Sequence, residues 1–179
     1  MLEANELCDR LIACPAGSPG WRAFEDICID ILQLLFTTDL QPPKIQPRTI
    51  SGSTRRDAVF PNRNRNSNNN WRLLLDELNA RLILFEFKNY DKEEIGKEEL
   101  DQMNSYMNKP MGRLGILVCN KLPNNAAHIR RNTIYSEQDK VILFMTKDHL
   151  IEMLHIKERG EDPADLIVDL VEQFYLQHE

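Results

Sequence analysis

No run of apolar residues in this sequence approaches the roughly 18–20 that a membrane-spanning helix needs. Stretches such as Leu82–Phe85 and Ile116–Cys119 are of strand length. Cysteine is sparse. Cys8, Cys14, Cys28 and Cys119 form no CxxC pair, so buried, reduced thiols are expected rather than a disulfide frame or a zinc ribbon. With only 7 glycines, the chain has neither a phosphate-loop nor a dinucleotide glycine pattern, and ATP or NAD use has no support. The opening Met1-Leu2-Glu3-Ala4-Asn5-Glu6 is acidic and does not read as a signal peptide. A cytoplasmic protein with no membrane partner is therefore expected. The formal net charge of -6 excludes a generally basic nucleic-acid coat protein, but not a local basic patch.

The 179 residues have ordinary globular composition, 42% hydrophobic and 28% charged, and contain no internal repeat or linker. One domain over 1–179 is expected. Its elements alternate in type. Helices are predicted over Leu2–Ala13 and from the start signal Ser18-Pro19 to Phe36, before Pro42-Pro43. Extended runs follow over Lys44–Ile50 and Arg55–Phe60, joined by a turn at Ser51-Gly52-Ser53-Thr54. Pro47 makes the first of these an edge strand. A polar loop, Pro61 to Asn70, leads to a helix at Trp71–Leu78 and a strand at Leu82–Lys88. Beyond it come a helix from Gly96 to Asn108, strand Leu114–Cys119, helix Ala126–Tyr135, strand Val141–Met145, helix Asp148–Arg159 and a last helix to Leu176. This is an α/β pattern with a mixed sheet of about five strands, antiparallel first and helix-connected later.

Several charged residues break the apolar pattern. On the helix after Trp21, Arg22, Asp26, Asp30 and Gln33 share one polar face, whereas Glu25 falls on the flank of the apolar side. On the strand Leu82–Lys88, Glu86 and Lys88 share a face with Leu82 and Leu84. Charges on a central strand are costly unless paired or bound to a metal. Asp57 enters a neighbouring extended run and brings a third acid toward the same place. Asp76 and Glu77 compete with it but sit on a predicted helix, so Asp57 is preferred. Hard carboxylate oxygens suit Mg²⁺, which takes one or two of them and keeps several waters. A neighbouring lysine such as Lys88 steadies charge on a phosphate.

From Lys44 to Arg72 there are seven basic residues, Lys44, Arg48, Arg55, Arg56, Arg63, Arg65 and Arg72, against the single acid Asp57. Such a patch attracts a phosphate backbone. The triplet His149, Glu152 and His155 lacks the i, i+4 histidine spacing of a helical zinc pair, and its apolar neighbours indicate a core helix.

Taken in order, Phe24-Glu25, Asp57 and Glu86-Phe87-Lys88 resemble the PD-(D/E)XK nuclease superfamily, with its restriction-endonuclease-like fold. The likeness spans about Trp21 to Met145. Gln102-Met103-Asn104-Ser105-Tyr106 is similar to the Gln-x-x-x-Tyr of RecB-type members, and Glu-Phe-Lys-Asn-Tyr is similar in style to Mrr-type restriction endonucleases. The sequence departs from the pattern in lacking a proline before Asp57 and in placing 28 residues between Asp57 and Glu86. The resemblance implies Mg²⁺-dependent cleavage of DNA, with Mn²⁺ able to substitute, in restriction or antiviral defence. It implies metal ligands at Asp57, Glu86, the Phe87 carbonyl and Glu25, and catalytic roles for Lys88, Gln102 and Tyr106. A homodimer or a separate targeting subunit would supply recognition. The alternative is a catalytically silent nucleic-acid-binding or protein-interaction domain of the same fold.

Overall fold

The strands are short apolar runs, with β4 and β5 buried along nearly their whole length, and α3, α5 and α6 open on side-chain caps from Asn69, Asn124 and Thr146. The computed structural model describes residues 4–50, 52 and 55–178. In chain order the elements are α1 (Ala4–Ala13), α2 (Trp21–Phe36), β1 (Lys44–Ile45), β2 (Ala58–Pro61), α3 (Asn70–Leu78), β3 (Leu82–Lys88), α4 (Lys97–Tyr106), β4 (Leu114–Cys119), α5 (Asn125–Gln138), β5 (Val141–Thr146), α6 (Lys147–Glu158) and α7 (Asp165–Gln177). The strands form one mixed sheet in the order β1-β2-β3-β4-β5. β1, β2 and β3 pair antiparallel, while β3, β4 and β5 pair parallel through helical crossovers. The expected α/β class and mixed sheet are what the chain forms.

Two apolar layers cover the sheet. Ile83, Phe85 and Phe87 of β3 join Phe24, Ile31 and Leu35 of α2 and the α6 and α7 residues Met153 and Ile167. Leu84 points the other way, toward Leu100 and Met103 of α4 and Ala127 and Ile134 of α5. Because side chains alternate along a strand, Glu86 faces the α4 layer with Leu84. No helix among the described residues is long and apolar enough to cross a membrane. All four cysteines are buried and free, in keeping with expectation.

The structure differs from the sequence expectation at three places that bear on the site. The expected Ser18 cap is not used: Gly20 occupies the N-cap and α2 begins at Trp21. A Cβ at Gly20 would lie 1.9 Å from the Pro15 carbonyl oxygen, so the chain turns here where only glycine fits. The run Lys44–Ile50 contributes only two residues of strand, because Gln46 takes a left-handed conformation (φ 48°). Beyond it only an isolated Arg48–Arg55 bridge continues the pairing. Ser51, Ser53 and Thr54 of the expected turn, and Leu2 at the expected helix start, lie outside the described residues.

The third difference is the Asn-rich loop, which is a hydrogen-bonded cage. Asn62 and Asn64 are buried while Arg63 and Arg65 between and after them are exposed. The Asn62 amide donates to the Trp71 carbonyl at 2.8 Å, and the Asn64 amide donates to the Asp39 carbonyl at 2.8 Å and to Asn62 Oδ1 at 2.9 Å. Asn69 donates to Asp39 and Asn64, and its own Oδ1 caps α3 by accepting from Arg72 N. A buried network of this kind holds only if every member is satisfied. Asn64→Ala should therefore lower stability by about 1–3 kcal/mol, the cost of stranding its partners, measured by urea unfolding. An unchanged midpoint would contradict the cage.

Candidate functional site

The antiparallel register of β2 and β3 places Ala58 opposite Phe85, and hence Asp57 opposite Glu86. The two acids lock across the gap in a reciprocal manner. The Asp57 backbone N–H donates to Glu86 Oε1 at 3.2 Å, and the Phe87 backbone N–H donates to Asp57 Oδ2 at 3.0 Å. Cross-strand partners point to the same face, so both carboxylates meet in the α4 layer. Glu86 is 3% exposed. Its carboxyl is pushed up to about 8, first by burial and then by the charge of Asp57, with Lys88 acting in the opposite direction.

Lys88 lies two residues on, on the same face. Its Nζ donates to Gln102 Oε1 at 2.8 Å, and Gln102 Nε2 donates to the Tyr106 hydroxyl at 2.9 Å. Gln102 and Tyr106 are one turn apart on α4, as their spacing requires. The structure thus brings Asp57, Glu86, Lys88, Gln102 and Tyr106 together, with the last two fixing the lysine rather than meeting the acids.

Glu25 stands apart from that group. It reaches the site from α2, in the opposite layer, and is buried to 7% exposure. Gln46 Nε2 donates to its Oε1 at 2.9 Å, while the Gln46 backbone N–H donates to the Asp57 carbonyl at 2.8 Å. Burial raises the Glu25 pKa, the Gln46 bond opposes this, and the Asp57 charge raises it further. The expected three-acid cluster is therefore a pair with Glu25 held aside by Gln46. Among the described residues no three His, Cys, Asp or Glu side chains converge closely enough to hold a metal ion. The pair still matches Mg²⁺, whose protein ligands are commonly only one or two carboxylates.

The fold splits the basic patch. Three residue steps separate Ala58–Phe85 from Pro61–Leu82 along the β2–β3 ladder. At ~3.3 Å per residue, Arg63 and Arg65 start roughly 10 Å or more beyond the acids, at the opposite end of the sheet. Lys44, Arg48 and Arg55 are exposed on the segments nearer the acids, and the Arg55 charge lowers the Glu25 pKa. Arg72 is engaged with Asp76 at 2.6 Å.

Arg56 does not face a ligand. It is 8% exposed, and its Nε and Nη2 donate to the Tyr106 carbonyl at 3.2 and 3.1 Å. A guanidinium at the last carbonyl of α4 satisfies an orphan acceptor and complements the helix dipole. It thereby fixes the helix that carries Gln102.

Sequence reading missed Gln46 and the inward role of Arg56. A left-handed glutamine carries no sequence signal, since that conformation favours Gly or Asn. Arg56 is indistinguishable in sequence from Arg55 until burial separates them. The triplet His149, Glu152 and His155 is structural where it is ordered by contacts: His149 Nδ1 accepts from Thr146 N at 3.1 Å and closes the α6 cap.

The pair makes a pH-dependent statement about the metal-free protein. Folded Glu86 keeps its proton to about 8, whereas the unfolded chain releases it near the usual 4.5. Between those values the unfolded state binds fewer protons, so stability falls as pH rises. The unfolding constant should increase by up to about tenfold per pH unit. Glu86→Gln should flatten that slope in urea-unfolding curves taken from pH 5 to pH 8. A variant slope equal to wild type would show that Glu86 is not the group responsible.

No protein-family model matches the chain. Over 114 residues, 64% of its length, it is 30% identical to the "Putative transposon gamma-delta 80.3 kDa protein" of Escherichia coli (strain K12). The matched segment is 16% of that protein's length, so the chain spans under a fifth of the relative to which it is similar.

Proposed function

We propose that the chain is a Mg²⁺-dependent nuclease that hydrolyses phosphodiester bonds in DNA. The observation that carries this reading is the Asp57–Glu86 carboxylate pair, Glu86 buried and Asp57 half-buried, with Lys88 held beside it by Gln102. Asp57 and Glu86, with the Phe87 carbonyl, would hold the cation. Bound Mg²⁺, or Mn²⁺ in its place, supplies Lewis-acid polarisation of a phosphoryl oxygen and lowers the pKa of a water. Glu86 gives up its proton on entering that role, since a ligand carboxylate must be ionised. Lys88 donates one of its three hydrogens to Gln102, which leaves two to face the developing charge on a phosphate. Glu25 has one oxygen occupied by Gln46 and a second with which to orient a water. Lys44, Arg48 and Arg55 draw in the phosphate backbone. The name of the relative associates that protein with a transposon, a DNA element, which favours DNA over RNA here.

Plasmid, linear duplex, single-stranded DNA and RNA, each incubated with the protein in Mg²⁺, Mn²⁺ or EDTA, test the reading. DNA should be cut with either cation and left whole in EDTA. Lys88→Ala should retain Mn²⁺ binding by titration calorimetry and lose roughly 10²–10⁴-fold in single-turnover rate. Asp57→Ala should lose both. Cleavage in EDTA, or a normal rate for Lys88→Ala, would overturn the assignment.

Binding without cleavage separates the arginines. In EDTA, Arg55→Ala should weaken DNA affinity across sequences and reduce the salt slope by roughly one. Arg56→Ala should instead lower thermal stability, because its guanidinium is committed to the Tyr106 carbonyl. Equal salt-slope losses for the two variants would contradict the division of roles.

A further inference from the structure

The two tryptophans have opposite surroundings. Trp71 is fully buried, edge-on to Phe36 at 4.9 Å. Trp21 is 45% exposed in the first turn of α2. It lies one helical turn before Glu25 and therefore on the same side of the helix. Together with Glu25, Ile45, Gln46 and Arg55 it lines a cavity of about 430 Å³. The apolar walls, Trp21 and Ile45, are half exposed and have no core role. The polar wall is the left-handed Gln46, whose N–H and Nε2 are both engaged by the site. Among the described residues, its Oε1 has no protein partner. The Arg22 guanidinium lies 5.2 Å from the centre of the Trp21 ring.

A flat aromatic wall, an aliphatic wall, an amide oxygen and a guanidinium match a planar heterocycle with a polar edge. We propose that this cavity is a nucleobase site, in which an unpaired or extruded base stacks on Trp21 and turns its edge toward Gln46 and Arg55. A base inside an intact duplex cannot reach such a wall without leaving its stack. The substrate class is accordingly nucleic acid with accessible bases: single strands, loops or distorted duplex. Backbone strain at Gln46 fits this placement, since strained residues persist where the surroundings hold them for a purpose. The proposal rests on the nuclease reading of the adjacent acids for its orientation: the stacked base would set its own phosphate at the Asp57–Glu86 end.

The test uses the full chain in EDTA, so that binding is read without chemistry. The probes are a mixed-sequence single-stranded DNA 10-mer, its duplex, and the same strand with abasic spacers. The single strand should quench the exposed indole of wild type, whereas Trp21→Phe, which retains only buried Trp71, should show no quenching. By anisotropy of a labelled strand, Trp21→Ala should lose roughly tenfold to a hundredfold in single-strand affinity, with duplex affinity nearly unchanged. Trp21→Phe should keep most of the affinity, and the abasic strand should lose the part that depends on Trp21. Absence of quenching, equal affinity of wild type and Trp21→Ala for the single strand, or an abasic strand that binds as well as the natural one would overturn the base site. Cleavage of DNA in Mg²⁺ by wild type distinguishes the two readings. Cutting with no dependence of binding on Trp21 removes the base site alone, and quenching without any cutting removes the nuclease reading alone.

Discussion

Burying one carboxylate against another is unfavourable twice over, through lost hydration and through mutual repulsion. Glu86 is buried on the central strand against the half-buried Asp57, and hydrogen bonds around the pair compensate for it. Backbone N–H groups of Asp57 and Phe87 point at the opposing carboxylates. Glu86 lowers the cost further by keeping its proton to about 8. A hydrocarbon at position 86 would pack with Leu84 at no such penalty. A cation bound at the pair, as we propose, would relieve the burial and the repulsion together.

The arrangement depends on both helical layers. α4 stands over the pair and delivers Gln102 to Lys88, and its C-terminal carbonyl is anchored to the strand region by Arg56. α2 delivers Glu25 from the opposite side, and Gln46 couples it to the Asp57 backbone. Positioning is thus supplied by hydrogen bonds to rigid elements rather than by the acids themselves. The side chains of the candidate site accordingly come from a helix in each layer and two adjacent extended segments.

Much of this was legible in the sequence. The α/β order, the central apolar β3 and the edge position of the Pro47 run follow from periodicity and proline chemistry, which act locally. The nearness of Asp57 to Glu86 was expected from strand alternation, and the shared helix face of Gln102 and Tyr106 from their spacing, both combined with the family resemblance; the contact of Gln102 with Lys88 was not. What could not be read depends on burial or on tertiary hydrogen bonds. Arg55 and Arg56 are adjacent and identical, yet one is solvent-facing and the other caps α4. The asparagines between Pro61 and Trp71 read as a polar loop, but Asn62 and Asn64 are interior. Seven basic residues gathered between Lys44 and Arg72 are divided between two ends of the sheet by the direction of β2. Glu25, the third carboxylate, is engaged by Gln46, whose left-handed backbone nothing in its identity announces.

We propose the Asp57–Glu86 pair as a cation site. Its most direct measurement is an anomalous-difference map from a crystal of the protein soaked in Mn²⁺ near pH 8, where Glu86 can ionise. One strong peak is expected within bonding distance of a carboxylate oxygen of each acid, at about 2.0–2.2 Å for a hard divalent ion of this size. A crystal with Mn²⁺ bound elsewhere and no peak between Asp57 and Glu86 would contradict it.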